Sequence, residues 1–400
     1  MKKGSGTSIS GYFVEKYAPS VVSYFQGKYQ KVIFISGTNG KTTTRGMINA
    51  ILQKNEMQVV SNYGGANIYR GILSSLLKDL TWRGQVISKY AVLEVEEATL
   101  PKLTRYFQPD ILILTNLARD QLDAYGELDT TLSYFQTAIN QSGAVQLIIN
   151  ADDPKLLELE HNNTYGSQLV HQTLQYEIGG KPKIQLEKLF VLQNSSDSIT
   201  FEDGAQKAQF TPKLIGDFNA VNYGLAITVS VLLKIPIGTI VSGLSNFAPV
   251  FARQERILTE YTEHMLVLVK NPLGLESILQ SDFMAKYPTI LFGLNDRIAD
   301  GKDVSWLWDV DFESFIKSHP VNWITTGERA SDITLRISQA LRTDGKQIQT
   351  VRTITLNQSI QELLVSPVPV CILATYTASR DIRDALAKII SLPAINSDVY

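Results

Sequence analysis

Short, nearly all-apolar runs recur along the chain, each followed by a turn and then by a segment with apolar residues at helical spacing. The first four runs are Val32–Ile35, Tyr90–Val95, Ile111–Leu114 and Val145–Ile149. Strands that are apolar on both faces and alternate with helices predict a parallel sheet covered on both sides. Residues 31 to about 153 are therefore expected to form a doubly wound α/β unit. A second α/β series comes later in the chain, with strands predicted at Met265–Val269, Thr289–Leu294, Val321–Thr325 and Val370–Ala374.

Between the two series the pattern changes. Residues 155–212 are rich in Gln, Asn, Ser and Gly and end in alternating stretches such as Ser198–Phe201, which predicts a small antiparallel insertion. A helix is expected over Asn219–Lys234, closed by Pro236, with the boundary between the large domains near Pro249–Arg256. The aromatic-rich first thirty residues, with Pro19 in their middle, read as an arm that packs on the neighbouring domain. The expected organisation is an arm (1–30), a central α/β domain (31–250, insertion at 155–212) and a C-terminal α/β domain (251–400).

Composition narrows the class. Of 400 residues, 44% are hydrophobic and 19% charged, enough apolar material for sizeable cores. With 37 Lys+Arg against 39 Asp+Glu, the net charge of −2 gives no support for nonspecific binding to nucleic acid or to an anionic membrane face. Met1–Gly6 leads into no apolar stretch resembling a signal peptide, and the run Gly224–Leu233 is too short to span a bilayer, so a cytoplasmic location is expected. The one cysteine, Cys371, excludes an internal disulfide and any multi-cysteine metal cluster.

Three motifs sit directly after predicted strands. In Ser36-Gly37-Thr38-Asn39-Gly40-Lys41-Thr42-Thr43-Thr44, the glycines let several backbone N–H groups converge on one phosphate. The next helix adds its positive end and Lys41 a full charge, while Thr42 can place a hydroxyl on Mg²⁺. The usual phosphate-loop pattern has a further glycine where this chain has Ile35. In Val92-Leu93-Glu94-Val95-Glu96-Glu97, a carboxylate at the strand's carboxyl end could hold a divalent ion beside the phosphates. Glu94 and Glu96 would share a face if the strand continues that far, and Glu96 and Glu97 also read as a solvated helix start. Thr115-Asn116 with Asp120-Gln121-Leu122-Asp123 offers polar groups at the same edge, although the aspartates could simply cap a helix.

Taken with these residues, Gly37–Thr44 resembles the phosphate loop of the Mur ligase superfamily, ATP-dependent amide ligases. Gly216-Asp217-Phe218-Asn219-Ala220-Val221-Asn222 and Lys270-Asn271-Pro272-Leu273-Gly274 fit the same pattern. Leu294–Asp309, together with Thr326-Gly327-Glu328-Arg329-Ala330 and Asn62–Asn67, resembles the MurT-type subunit of lipid II isoglutaminyl synthase. The similarity runs from about residue 8 to beyond 380. It implies a Mur ligase-like central ATPase domain followed by a Rossmann-like α/β domain.

The resemblance further implies activation of the α-carboxylate of D-glutamate in lipid II with ATP and Mg²⁺. A glutaminase partner of the GatD type would supply ammonia, giving D-isoglutamine at the inner face of the membrane. Gly37, Thr38, Asn39, Gly40, Lys41, Thr42 and Thr43 would bind phosphates, with Thr42 and Glu94 around Mg²⁺ and Arg253 or Lys270 adding charge. Asn219 would contact adenine and Asp296 the nucleotide. An aspartate, best matched by Asp300 with Asp303 and Asp309 as alternatives, would complete a Cys-His-Asp arrangement with the partner. Local chemistry alone makes Asp300 a turn residue in Ala299-Asp300-Gly301. Trp306 and Trp308 read as packing or interface residues.

The chain departs from the superfamily pattern at Gln121, where many ligases have histidine but MurT-type members often have Gln, and at Arg297, where the subfamily usually has asparagine. Many MurT-type proteins insert a four-cysteine zinc ribbon, but residues 155–212 contain no cysteine, and His161 and His171 are too few to replace it. No zinc is expected. Two other functions fit less well: a stand-alone Mur-type or folylpolyglutamate-type ligase, for which no nucleotide-sugar domain precedes Lys31, and a nucleotide-binding scaffold without ligase activity. A thiol for glutamine hydrolysis must come from another polypeptide, because Cys371 falls in a predicted buried strand.

Overall fold

The computed structural model describes residues 9–62, 66–117, 127–142, 145–150, 152–161, 168–172, 193–195, 198–203, 206–247, 252–344 and 350–392. Tyr63–Gly65, Asp120, Gln121, Asp123, most of 155–192 and the side chains of His161 and His171 lie outside that description.

Helix α1 (Ile9–Tyr17) and a 3-10 turn (Pro19–Phe25) precede the first sheet. Its elements run β1 (Lys31–Ser36), α2 (Lys41–Lys54), β2 (Val59–Val60), α3 (Tyr69–Lys78), β3 (Tyr90–Glu94), α4 (Leu100–Thr104), β4 (Ile111–Leu114), α5 (Glu127–Gln141), β5 (Gln146–Asn150), α6 (Pro154–His161) and β6 (Gln168–Gln172). The strands lie in the order β2-β3-β1-β4-β5-β6, all parallel. Every residue of β3 and β4 is buried, as strands covered on both faces require. β6 falls within the stretch read as an antiparallel insertion, yet it extends the parallel sheet by pairing with β5. Only β7 (Gln193–Ser195), β8 (Ser198–Asp203) and β9 (Gln206–Phe210) form the antiparallel piece.

Helices α7 (Asp217–Leu232) and α8 (Ile237–Ser245) return against α2 and close one face of the first sheet. Phe201, Phe210 and Tyr223 join that core, which fixes the small sheet to the large one. The other face is sealed by the 3-10 turn, α3, α4, α5 and α6 around Phe25, Phe34, Phe107 and Phe135.

The second sheet begins with β10 (Arg253–Leu258) and β11 (Glu263–Leu268), followed by α9 (Pro272–Leu279), β12 (Thr289–Gly293), α10 (Phe312–Ser318), β13 (Asn322–Thr326), α11 (Ala330–Asp344), β14 (Val351–Thr353), α12 (Leu356–Val365), β15 (Val370–Ala374) and α13 (Tyr376–Leu386). The order is β10-β11-β15-β12-β13-β14, parallel except for the β10–β11 edge pair. Helices α9 to α11 cover one face, with Trp323, Phe292 and Phe312 in the core, and α12 and α13 cover the other. No helix among the described residues is long and apolar enough to cross a membrane.

Candidate functional site

In the first sheet β1 lies between β3 and β4. The carboxyl ends of these three strands meet at one edge, where ligands of doubly wound sheets bind. The loop after β1 turns through two glycines in the left-handed half of backbone space, Gly37 (φ 121°) and Gly40 (φ 87°). A side chain is excluded at both. A Cβ at Gly37 would lie 2.3 Å from Thr115 Oγ1, and one at Gly40 2.3 Å from Asn222 Oδ1.

The loop is clamped from β4. Thr38 N donates to the Asn116 carbonyl at 3.1 Å and Asn39 N to Asn116 Oδ1 at 2.9 Å, while Thr115 Oγ1 donates to the Asn39 carbonyl at 2.6 Å. The Thr115-Asn116 motif thus acts by shaping the loop. α2 starts directly after Gly40, so its unpaired N–H groups and dipole face the same edge.

Lys41 is buried. Its Nζ donates to the Gly37 and Thr38 carbonyls and forms an ion pair of 2.7 Å with Glu97. Beside it, Thr42 Oγ1 donates to Glu94 Oε2 at 2.8 Å. Glu94 is 3% exposed and is the last residue of β3. Asn62 brackets its backbone with two 2.8 Å bonds, and Arg45 Nε stands 3.6 Å from its carboxylate. The strand ends at Glu94, so the alternation that would have set Glu96 beside it does not extend that far. Glu97 instead begins a 3-10 turn and turns back to Lys41, which sequence spacing gave no means of finding.

Arg253 comes from β10, where a bulge shifts the register between Arg253 and Glu255. The residues on either side, Ala252 (φ 52°) and Gln254 (φ 57°), are both left-handed, a cost tolerated where the chain must aim a side chain. Burial lowers the guanidinium's affinity for its proton. The Glu94 carboxylate acts in the opposite sense and Arg45 in the same sense as burial. No sequence motif singles out Gln254: its side-chain amide accepts from Ile215 N at 2.7 Å and donates to the Ile215 carbonyl at 2.6 Å, fixing the segment before Gly216.

A cleft of about 110 Å³ lies between the two large sheets, lined by Asn39, Gly40 and Thr43 on one side and by Lys270, Asn271 and Ser277 on the other. Phe218, Asn219 and Arg253 also line it. Asn219 is buried, accepting from Asn222 Nδ2 at 3.3 Å and donating to the Ile215 carbonyl at 3.0 Å. Among the described residues no group of three or more His, Cys, Asp or Glu converges as a metal cage. The Thr42–Glu94 pair suits a divalent ion that keeps water and phosphate oxygens as its other ligands.

Asp296 and Asp300 stand elsewhere, on the loop after β12 at the ligand edge of the second sheet. Asp296 Oδ2 accepts from Arg329 Nη1 at 2.9 Å. The Asp300 carboxylate lies at the start of α13, accepting from Thr377 N at 2.7 Å, from the Thr377 hydroxyl and from Arg297 N at 3.2 Å. Arg297 pins this loop by ion pairs of 2.8 Å to both Glu328 and Asp381. Asp303 accepts from Ser305, whose hydroxyl and N–H hold its carboxyl below the usual range. Trp306 is buried, whereas Trp308 is half exposed. Cys371 is fully buried on β15, and burial pushes its thiol pKa up.

Residues 35–230 match the Mur ligase middle domain family, and residues 268–379 match the MurT ligase C-terminal family. The MurT subunit of lipid II isoglutaminyl synthase (glutamine-hydrolyzing) from Staphylococcus aureus strain N315 is 29% identical over 368 residues, covering 84% of this chain and 83% of its own. The Streptococcus pneumoniae protein of the same name is 29% identical over 432 residues, covering 96% and 93%. Among solved structures, the MurF ligase of Thermotoga maritima in complex with ADP superposes with a TM-score of 0.68 at 15% identity, covering 95% of this chain and 84% of its own. The two matched regions correspond to the phosphate-loop sheet and to the sheet that carries Asn271 and Asp300, and the chain belongs to the Mur ligase superfamily as a member of its MurT type.

Proposed function

We propose that this chain is the ATP-dependent ligase subunit that activates the α-carboxylate of D-glutamate in the lipid II stem peptide for amidation to D-isoglutamine. A GatD-type glutaminase would supply the ammonia. The observation that carries the reading is the meeting, at one sheet edge, of a glycine loop, the cations Lys41 and Arg253, and the Thr42–Glu94 pair. The names of the staphylococcal and streptococcal relatives support the choice of reaction.

A carboxylate is a poor acyl donor, so one of its oxygens first attacks the γ-phosphorus of ATP and ADP departs, leaving an acyl phosphate. Ammonia then adds to the acyl carbon, loses a proton and displaces phosphate. The first step brings two anions together, which demands fixed positive charge. The amides of Gly37–Thr43 and the start of α2 would cradle the phosphates, and Lys41 would exchange its loop carbonyls and Glu97 for phosphate oxygens. Arg253, aimed by its bulge and always charged, would face the reacting carboxylate. A magnesium ion held by Thr42 and Glu94 would offset the remaining phosphate charge. Asn219, beside Phe218, is the proposed adenine contact, and Asp296 the contact from the C-terminal sheet.

Asp300 would lend its carboxylate to the histidine of the partner's thiol–histidine pair, orienting the ring and stabilising its charged form. Three of its roughly four acceptor directions are taken by Thr377 and Arg297, which fixes the carboxylate and leaves one direction for that histidine. Asp303 and Asp309 are the alternatives. The reaction belongs at the cytoplasmic face of the membrane, where the lipid substrate is held.

Copurification with a candidate glutaminase, followed by glutamine-dependent ATP hydrolysis on lipid II, tests the reading. A stable complex with substrate-stimulated turnover is expected. Absence of both complex and turnover overturns it.

A further inference from the structure

The arm that precedes β1 leaves aromatic side chains in solvent. Phe13 and Tyr17 on α1 and Tyr24 on the 3-10 turn are 55%, 71% and 44% exposed, and Trp82, on the turn after α3, is 89% exposed. These segments share one support. Gly11 N donates to Ser74 Oγ at 2.9 Å, holding α1 against α3, and the Tyr24 hydroxyl donates to the Gly84 carbonyl at 2.7 Å, holding the 3-10 turn on the loop that carries Trp82.

The charges among these rings are of one sign. Lys16 Nζ lies 5.2 Å from the Tyr17 ring centre, Lys28 Nζ 4.6 Å from that of Tyr24, and Arg83 Cζ 4.6 Å from that of Trp82. Every exposed charged residue in 9–30 and 78–89 is Lys or Arg. The two acids in these stretches are engaged elsewhere: Glu15 is paired with Lys102 at 2.6 Å, and buried Asp79 accepts from Tyr29 and Ser88. Aromatic rings interleaved with basic chains match an interface that is apolar below and anionic above, where rings settle at headgroup depth and the cations meet phosphate. The near-neutral net charge hides this local concentration.

We propose that α1, the 3-10 turn and the Trp82 turn form a peripheral docking surface for acidic phospholipid membrane. By setting the chain on the membrane that holds a lipid substrate, this deepens, and rests on, the function proposed above. Its test uses no turnover, so the two fail separately: a vesicle-binding chain without ligase activity sinks only the function, and an active chain that ignores vesicles sinks only the surface.

The experiment is cosedimentation of the full chain with vesicles rich in phosphatidylglycerol and with vesicles of phosphatidylcholine alone. Binding to the first and not the second is expected, weakening as salt is raised. Lys16→Gln, Lys28→Gln and Arg83→Gln should each lower the partition about fivefold. Phe13→Ser with Trp82→Ser should lower it about tenfold or more without altering the charge. All these side chains are exposed, so the variants retain the fold. Equal binding to both vesicles, or undiminished binding by both sets of variants, overturns the proposal. So does a dimer that the variants abolish, in the absence of vesicle binding, which would assign the face to a second copy of the chain.

Discussion

Asn39 and Asn271 face each other across the cleft between the two large sheets, Asn271 Nδ2 donating to Asn39 Oδ1 at 3.2 Å and Asn39 Nδ2 lying 3.5 Å from Asn271 Oδ1. One belongs to the glycine loop after β1. The other caps α9, its Oδ1 accepting from Gly274 N at 2.9 Å. The pair therefore couples loop geometry to the position of the C-terminal sheet. Asn271→Asp keeps the cap and removes the donor, and is expected to weaken ATP binding about three- to tenfold with little loss of thermal stability, the scale of one hydrogen bond. Asn271→Ala should add a cap loss of about 1 kcal/mol. Calorimetric ATP titration beside thermal melting separates the two; unchanged ATP affinity in both variants removes the coupling.

Glu94→Gln retains an acceptor for Thr42 but takes a negative charge from beside Arg45 and Arg253. Magnesium-dependent turnover should fall by at least about a hundredfold, while ATP binding in the presence of a chelator stays the same or tightens, since a charge that repels phosphate is gone. Weaker chelator-resistant ATP binding would assign Glu94 a purely structural role.

Lys41→Ala should abolish turnover whether nitrogen comes from glutamine or from added ammonia, because both routes pass through the same acyl phosphate. Unchanged ammonia-driven turnover contradicts the assignment of Lys41 to phosphate.

Asp300→Asn is the complementary case. Its expected signature is loss of glutamine-driven amidation with ammonia-driven amidation kept, in the complex with the glutaminase. Full activity with glutamine would pass the role to Asp303 or Asp309, whose own Asn variants are then compared by the same assay.

His264, on β11, is fully buried, its Nδ1 accepting from Val370 N at 3.1 Å and its Nε2 donating to the Leu363 carbonyl at 2.9 Å. Burial depresses its pKa below the ordinary 6.5, against the opposing pull of Leu363. Below pH 6.5 the unfolded chain takes up a proton that the folded one resists, so stability is full above that pH and falls as pH drops towards the folded pKa. Denaturant melts at descending pH should show that slope, and His264→Gln should flatten it.

The buried parallel strands were the readable part of the fold. Ile111–Leu114 and Val370–Ala374 announce themselves because every side chain is apolar and every one is buried. The short edge strands Val59–Val60 and Val351–Thr353 have no such run, and β10, Arg-Gln-Glu-Arg-Ile-Leu, opens with four polar residues around a bulge, so its pattern suggests no strand. In the site, the glycine loop, Lys41, Thr42 and Glu94 are legible because their chemistry lies within single motifs. Glu97 on Lys41 and Gln254 on the chain at Ile215 are not, because each joins residues far apart in sequence that only the folded sheets bring together.

The Lys41–Glu97 pair has a bearing on selectivity. Glu97 serves Lys41 as a resident counter-anion, held at 2.7 Å with both side chains largely buried. A lone carboxylate offers Lys41 no more than it already has and must also drive Glu97 away. Under the proposed function a triphosphate would bring several charges and gain the loop amides at the same moment, which favours displacement of the carboxylate. In that reading the ion pair would set a threshold of charge density for entry, one that a single carboxylate does not meet.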